Sequence, residues 1–379
     1  MALNNIREHI DSIDHEITRL FAERMDTVGE VAASKRSTGK AIRDHARERE
    51  VINRVTEQAG DEYAPYVKDL YKLIIELSCN YQSKLLGRDS ALGQQLRDAC
   101  AQYAGRKMPN RALVACQGTE GAYAQQACEK LFEYPDILYF DSFDGVFNAV
   151  EKGMCEYGVL PIENSTAGSV TQVYDLMEKH SFHIVGARKL RIDHRLMRKA
   201  GATGPIREIV SHEQALRQCS DFFAAHPEYH AVPMANTAVA AEYAANTDRD
   251  DVAVIASKVC AELYNLEIVS DSINNVQSNY TRFICISRNL EVYPDARKVS
   301  ITCSLPHEAG SLNSIISRLA IAGINLCKLE SRPIPGREFE FRFFFDMEAD
   351  LHDPEIVKLI CELEARTERF VFLGAYEER

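Results

Sequence analysis

Gln277-Ser278-Asn279-Tyr280-Thr281-Arg282-Phe283 leads straight into Ile284-Cys285-Ile286. Small polar residues that favour a turn give way to an apolar run with the composition of a strand. Side chains alternate across a strand, so Thr281 and Phe283 belong to one face and Arg282 to the other. Upstream, from Ala112, short apolar runs alternate with helical patterns. Downstream, from Val299, a smaller set of such runs stands apart. The pattern predicts an α/β region that closes on this stretch, with an all-helical segment before it and a small α+β unit after it.

The bulk composition narrows the function. A chain of 379 residues with 46% hydrophobic content has room for two or three cored domains. A net charge of -12 offers no general attraction to nucleic acid or to an anionic membrane, so any anionic ligand must be held by local Arg and Lys. The N-terminal residues lack the apolar core of a signal peptide, and no run approaches the roughly 20 apolar residues of a membrane span; a cytoplasmic protein is expected. The 11 cysteines are scattered without a Cys-x-x-Cys pair. Reduced, buried thiols are expected, rather than a disulfide framework or a metal site.

In the first ninety residues, Ile6, Ile10, Ile13, Ile17 and Leu20 recur at spacings of four and three, and Val28 and Val31 extend the stripe. That is a long amphipathic helix with a nearly heptad seam. A second helix is predicted from Ile42 to Gln58, with Gly60 as its stop. A third opens near Pro65 and carries Leu70, Leu73, Ile74 and Leu77. Three helices of unequal length do not cover such a seam, so dimerisation through the long helix is expected. Arg24 and Lys35 nearly share a helix face; Asp44, Arg47 and Glu48 form one patch; Ser78 and Gln82 form an i, i+4 pair. Each is either a solvated surface group or part of a pocket for a small dicarboxylate.

Taken as a set, Ile6-Arg7-Glu8, Ala22-Glu23-Arg24, Lys35, Arg43-Asp44 with Arg47-Glu48, and Leu73-Ile74-Ile75-Glu76 with Ser78 and Gln82 resemble the all-helical chorismate mutases. The resemblance implies that Arg24, Arg47 and an Arg7 from a partner chain hold the carboxylates of chorismate, with Ser78 completing those contacts. Lys35 and Gln82 would face the ether oxygen, and Glu48 and the Asp44 backbone the ring hydroxyl. A pericyclic rearrangement suits such a site, because it needs a held conformer and stabilised charge but no nucleophile.

Residues 91–110 are expected to be a linker with some helix through Leu92, Leu96 and Ala99. Beyond it, Ala112–Cys116 is a predicted buried strand, followed by the turn Gly118-Thr119-Glu120-Gly121-Ala122-Tyr123. That turn is either an anion cradle or a plain tight turn, and it is neither Gly-x-Gly-x-x-Gly nor a P-loop. Strands at 137–140 and 157–160 follow, the second running into Pro161-Ile162-Glu163-Asn164-Ser165-Thr166. Those polar residues either cap the helix expected at 170–180 or contact a ligand, at the strand end where open α/β sheets bind. A second cycle of strands at 207–210, 231–233 and 252–255 suggests two α/β lobes facing across a cleft.

Leu160-Pro161-Ile162-Glu163-Asn164-Ser165, Ile192-Asp193-His194, Ser211-His212 with Gln218, and Asn279-Tyr280-Thr281-Arg282-Phe283 resemble prephenate dehydratases. That implies a two-lobed fold like periplasmic binding proteins over residues 111–288. Thr281 is catalytic on this reading, with Glu163, Asn164, Ser165, Ser211, His212, Gln218, Arg282 and Phe283 around prephenate. Ala122 and Ala124 stand where the family often has Ser or Thr. Thr281 would serve the leaving hydroxide, with a relay from His212 or Glu163. Arg282 either binds a carboxylate or pairs with an acid at the sheet edge.

Residues 297–379 read as β-α-β-β-α-β, the ferredoxin-like order. Glu330-Ser331-Arg332-Pro333 and Gly310-Ser311-Leu312-Asn313 resemble the effector motifs of an ACT regulatory domain. The resemblance implies inhibition by L-phenylalanine; the alternative is a purely structural dimerisation unit. The whole is expected to be a multidomain homodimer or higher homo-oligomer acting on chorismate and prephenate, with no cofactor and no metal. Its three parts are a helical bundle at 1–90, a two-lobed α/β domain at 111–288 and an α+β unit at 297–379.

Overall fold

The computed structural model describes residues 3–39, 42–86, 90–308, 310–334, 336–337 and 340–379. The chain divides into two compact units, Met1–Gln95 with Lys358–Arg366, and Leu96–Val357 with Thr367–Arg379. Thus the last helix, Pro354–Arg366, groups in large part with the helical unit rather than with its own sheet.

The helical unit opens with helix Leu3–Thr38. Its predicted seam is uncovered within one chain: Ile6, Ile10, Ile13, Ile17 and Leu20 are 46–58% exposed, whereas Ala32 is buried. The run His45–Leu86 is helical on both sides of Gly60, which has φ 71° and ψ 161°. An unbroken helix would hold Glu48 and Cys79 about 46 Å apart. Cys79 Sγ instead lies 4.0 Å from Glu48 Oε1, so the chain reverses at Gly60. Pro65 falls in the first turn of the returning helix, where its missing N–H is no loss. The expected linker is largely a packed helix, Ala91–Tyr103, with Leu96 and Ala99 buried.

The first sheet of the larger unit runs Tyr134–Phe140, Arg111–Gln117, Tyr157–Asn164, Tyr280–Ser287, His183–Arg191. The first three strands are parallel, and Tyr280–Ser287 is antiparallel to both of its neighbours. The stretch read first is therefore a central strand that returns from far along the chain. Alternation holds along it: Phe283 and Cys285 join the cluster of Ala112, Val114 and Ala127, while Ile284 and Ile286 join that of Leu160, Ile162 and Val146. The second lobe has a sheet in the order Leu266–Ser270, Arg195–Lys199, Val252–Ala256, Glu208–His212, His230–Met234. The helix expected at 170–180 is shorter, Thr171–Leu176, giving way to a turn from Met177, and it follows a short hairpin in which Gly168–Ser169 pairs with Glu163–Asn164. The helical run after the strand Glu208–His212 is split at Cys219 into Glu213–Gln218 and Ser220–Ala225.

The third sheet is antiparallel throughout, in the order Asn325–Pro333, Phe341–Glu348, Lys298–Ser304, Glu368–Tyr376. With helix Ser311–Ile321 and helix Pro354–Arg366 it completes the predicted β-α-β-β-α-β order. The third strand in chain order is Phe341–Glu348. Phe344, Leu373 and Tyr376 of this sheet share a cluster with Ile284, Ile286 and Leu160 of the first lobe. At Gly374 the chains approach so closely that an added Cβ would sit 2.0 Å from the Ile184 carbonyl oxygen. Past Tyr376 the chain pairs with the open side of His183–Arg191: Ala187 N–H donates to Glu377 O (3.0 Å), Arg379 N–H to Ala187 O (3.1 Å), and Lys189 N–H to Arg379 O (2.9 Å). An exposed strand edge is thereby closed. No described helix is long and apolar enough to cross a membrane.

Candidate active sites

In the helical unit, the long helix and the returning helix bring Arg24 to Ser78, whose Oγ accepts from the guanidinium. Ser78 and Gln82 are both buried, and Gln82 Nε2 donates to Ser78 O at 3.3 Å. Among the described residues, Gln82 Oε1 is buried without a hydrogen-bond partner. Buried polar atoms are rarely left so unless something else supplies the bond. Lys35 Nζ donates to Ile42 O across the interhelical turn. Asp44 Oδ1 accepts from Arg47 N–H (3.1 Å) and Asp44 O from Glu48 N–H (2.9 Å), so Asp44 starts the second helix. Glu48 lies 3.9 Å from Arg43. Arg47 turns outward to Glu50, at 2.7 Å. Arg7 is exposed, 17 residues before Arg24 on one rigid helix and so about 25 Å away. A single chain thus assembles Arg24, Ser78 and Gln82 but leaves its own Arg7 out of reach.

The second site lies between the lobes of the larger unit. Thr281 and Asn164 face each other across adjacent strands, and Asn164 Nδ2 donates to Thr281 Oγ1 at 2.9 Å. The Asn164 amide is itself clamped. Its Oδ1 accepts from Thr166 N–H (3.0 Å), Thr166 Oγ (2.7 Å) and Ala167 N–H (2.9 Å), and its Nδ2 also donates to Asn279 Oδ1 (2.8 Å). Gln218 reaches in from the second lobe: Nε2 to Thr166 Oγ1 (3.1 Å), while Oε1 accepts from Asn279 Nδ2 (3.0 Å) and meets His194 Nε2 (3.0 Å). Thr166, Ala167, Gln218 and Asn279 line an open cavity of about 510 Å³, together with Arg217, Asn274 and Asn275. Ser165 is scaffold, tying Ser278 O and Tyr280 N–H. Burial holds the imidazole of His194 below its usual range, against the opposing hydrogen bond to Gln218, so it stays neutral near pH 7.

Several expected ligand contacts take other roles. Ser211 is fully buried and donates to Ile255 O (2.6 Å). His212 caps the helix Glu213–Gln218, its Nδ1 accepting from Gln214 N–H. Phe283 is a core residue. Arg282 points away from the cleft, as strand alternation requires. It is buried and pairs with Asp346 (2.6 Å), Glu378 (3.2 Å) and Glu163 (3.4 Å). Of the two readings left open for Arg282, pairing with acids is the one realised. Glu163, adjacent to Asn164, shares that far face and also pairs with Lys328 (3.1 Å); it is not placed to relay a proton to Thr281. The Gly118–Tyr123 turn is a tight turn. Gly121 N–H donates to Gln125 Oε1, Ala122 N–H to Thr119 O, and Gly121 packs on Cys260. Thr166 belongs to the polar run at the strand end for which ligand contact is one of two readings; Asn279 and His194 stand inside the quoted motifs without an assigned role, and nothing in spacing marks Arg217.

In the third unit, Gly310 adopts φ 94° ahead of helix Ser311–Ile321, and Asn313 is exposed while Leu312 is half-buried. Glu330 accepts from Ser169 Oγ (2.7 Å), Arg332 pairs with Asp175 (2.9 Å), and Ser331 and Pro333 are exposed.

The sequence family described as prephenate dehydratase matches residues 114–291, and that described as chorismate mutase type II matches residues 6–83. The bifunctional chorismate mutase/prephenate dehydratase of Escherichia coli strain K12 is 31% identical over 98% of this chain and 95% of its own length. Among solved structures, a protein described as a novel type of quorum quenching acylase is 29% identical, with a TM-score of 0.64 over 70% of this chain and 98% of its own. Prephenate dehydratase from Arthrobacter aurescens, solved with L-Phe, has the same fold: TM-score 0.63, 24% identity, over 70% of this chain and 89% of its own.

Proposed function

The chain belongs to the family of bifunctional chorismate mutase/prephenate dehydratases, and from that premise we propose which residues carry each reaction. It rearranges chorismate to prephenate, then decarboxylates and dehydrates prephenate to phenylpyruvate, in the biosynthesis of phenylalanine.

For the rearrangement, Arg24 and Ser78 hold a carboxylate of chorismate, joined by Arg47 turned inward and by Arg7 of a second copy. Lys35 and Gln82 stabilise negative charge on the breaking ether oxygen, and Glu48 and the Asp44 backbone hold the ring hydroxyl. Homodimerisation follows from this reading, because the exposed isoleucine seam and the remote Arg7 lie on one helix.

For the dehydration, the observation that carries the reading is the hydrogen bond from Asn164 to Thr281. It occupies an acceptor position of the Thr281 oxygen and turns the hydroxyl proton toward the cleft. As carbon dioxide leaves and the ring becomes aromatic, the departing hydroxide takes that proton and leaves as water; Thr281 regains a proton from the open cleft. A positioned donor of this kind is worth roughly 10²–10⁴ in rate. Arg217 supplies positive charge for a substrate carboxylate, the role once considered for Arg282. An acyl-transfer chemistry would instead need Thr281 activated by a base, and Asn164 offers it a donor.

Residues 310–313 and 330–333 bind L-phenylalanine in an ACT-type regulatory unit and inhibit the dehydratase. The free cysteines suit a reducing cytoplasm. The test is to feed chorismate and follow both products. Thr281→Ala makes prephenate at the wild-type rate and loses at least a hundredfold in phenylpyruvate formation. Unchanged phenylpyruvate formation would overturn the assignment.

A further inference from the structure

The catalytic strand has two faces with different tenants. Thr281 and Asn164 bond to each other beside the cavity-lining Thr166, Gln218 and Asn279; their chain neighbours Arg282 and Glu163 face the other way, toward the third sheet. There Arg282 meets Asp346 and Glu378, and Glu163 meets Lys328. Lys328 Nζ donates to Ser169 Oγ (2.9 Å), and Ser169 Oγ donates to Glu330 (2.7 Å). Lys189 and Lys298 pair with Glu378 at 2.7 and 2.8 Å. The acids Glu163, Glu330, Asp346 and Glu378 are thus matched by Arg282, Lys189, Lys298 and Lys328. Arg282 spans from the catalytic strand to one strand of the third sheet, at Asp346, and to that sheet's tail, at Glu378.

We propose that Arg282 is a positioning residue for the dehydration, coupling the state of the third sheet to the Thr281–Asn164 pair. A guanidinium bonded to three carboxylates cannot shift without moving the strand that bears it. A change at Glu330 reaches Glu163 through Ser169 and Lys328, and Glu163 precedes Asn164. Both halves of the Thr281–Asn164 hydrogen bond are thus one residue away from groups held by the third sheet. This rests on the reading of residues 310–313 and 330–333 as an effector site.

The test uses the full-length chain and three variants, Arg282→Lys, Asp346→Asn and Lys328→Gln; removing a partner of a buried charge endangers folding, so folding is read independently in each. Mutase activity on the same sample reports folding of the helical unit, and circular dichroism that of the rest. Arg282→Lys and Asp346→Asn are expected to lower dehydratase kcat at least tenfold with KM for prephenate within about threefold. Lys328→Gln is expected to bind L-phenylalanine, measured by calorimetry, within about threefold of wild type, while the concentration giving half-inhibition rises at least tenfold. Inhibition that still tracks binding in Lys328→Gln, or wild-type kcat in folded Arg282→Lys and Asp346→Asn, would overturn the coupling. Failure of the wild-type chain to bind L-phenylalanine removes the effector reading instead, and the two kcat measurements then decide the positioning role.

Discussion

Thr281 and Arg282 show how one residue step divides chemistry from architecture. Motif resemblance marked both, but only alternation along a strand said that they face opposite ways, and only the fold shows what fills each side. The same holds for Ser211 and Phe283, which lie in a motif and serve the core. Their chemistry was legible as polar or aromatic; their partners, Ile255 O and the Ala127 cluster, are too distant in sequence to be read. In the helical unit the claim sharpens to Lys35 and Gln82. A single preorganised donor to a developing oxyanion is worth about 3–4 kcal/mol. Lys35→Ala and Gln82→Ala should each lower mutase turnover at least tenfold without changing phenylpyruvate formation from supplied prephenate. Steady-state assays on chorismate and on prephenate, run separately, check this.

At the scale of elements, helices and apolar strands were legible, and charged strands were not. His183–Arg191, with one histidine, two arginines and a lysine, has no strand signature, yet it is a full member of the first sheet. It holds its place because the strand Tyr280–Ser287 covers one edge and residues 377–379 the other. Gly374→Ala forces a methyl onto the Ile184 carbonyl, and overpacking of that kind costs about 1–3 kcal/mol; a lowered midpoint in thermal unfolding of the larger unit is the expected readout. Glu378 provides a pH dependence. Burial opposes its ionisation, but hydrogen bonds from Lys189 and Lys298 and the charges of Lys298 and Arg282 prevail and hold its pKa down at about 2. A carboxylate depressed in the folded state adds stability above its ordinary pKa and loses it as pH falls. The tail contact should therefore weaken between about pH 4.5 and 2, and Glu378→Gln should flatten acid unfolding across that window.

For the molecule as a whole, periodicity made the helical start, the α/β middle and the final β-α-β-β-α-β order legible, but not the grouping of the chain into two compact units. The expected linker is mostly helix, and the last helix keeps company with the N-terminal unit, because packing partners are set by faces rather than by chain order. For the proposed homodimer, the uncovered seam of the long helix makes assembly a matter for mass action. Ile13→Glu places a charge mid-seam, and the variant should sediment as a monomer with mutase turnover reduced at least tenfold, because Arg7 of a second copy is then missing. Phenylpyruvate formation from prephenate should be retained.

The central strand Tyr280–Ser287 also dictates an order of events during synthesis. Its neighbour ends at Asn164, so at 5–20 residues per second about 6–23 s of translation pass before the gap in the first lobe can be filled. The second lobe, complete by Ser270, can close on the ribosome; the first must wait with one edge of Tyr157–Asn164 and both edges of His183–Arg191 bare, which invites wrong pairing. Nascent chains stalled before Tyr280 should be the species that chaperones retain, and codon changes that slow the stretch between the lobes should cost yield before they cost activity.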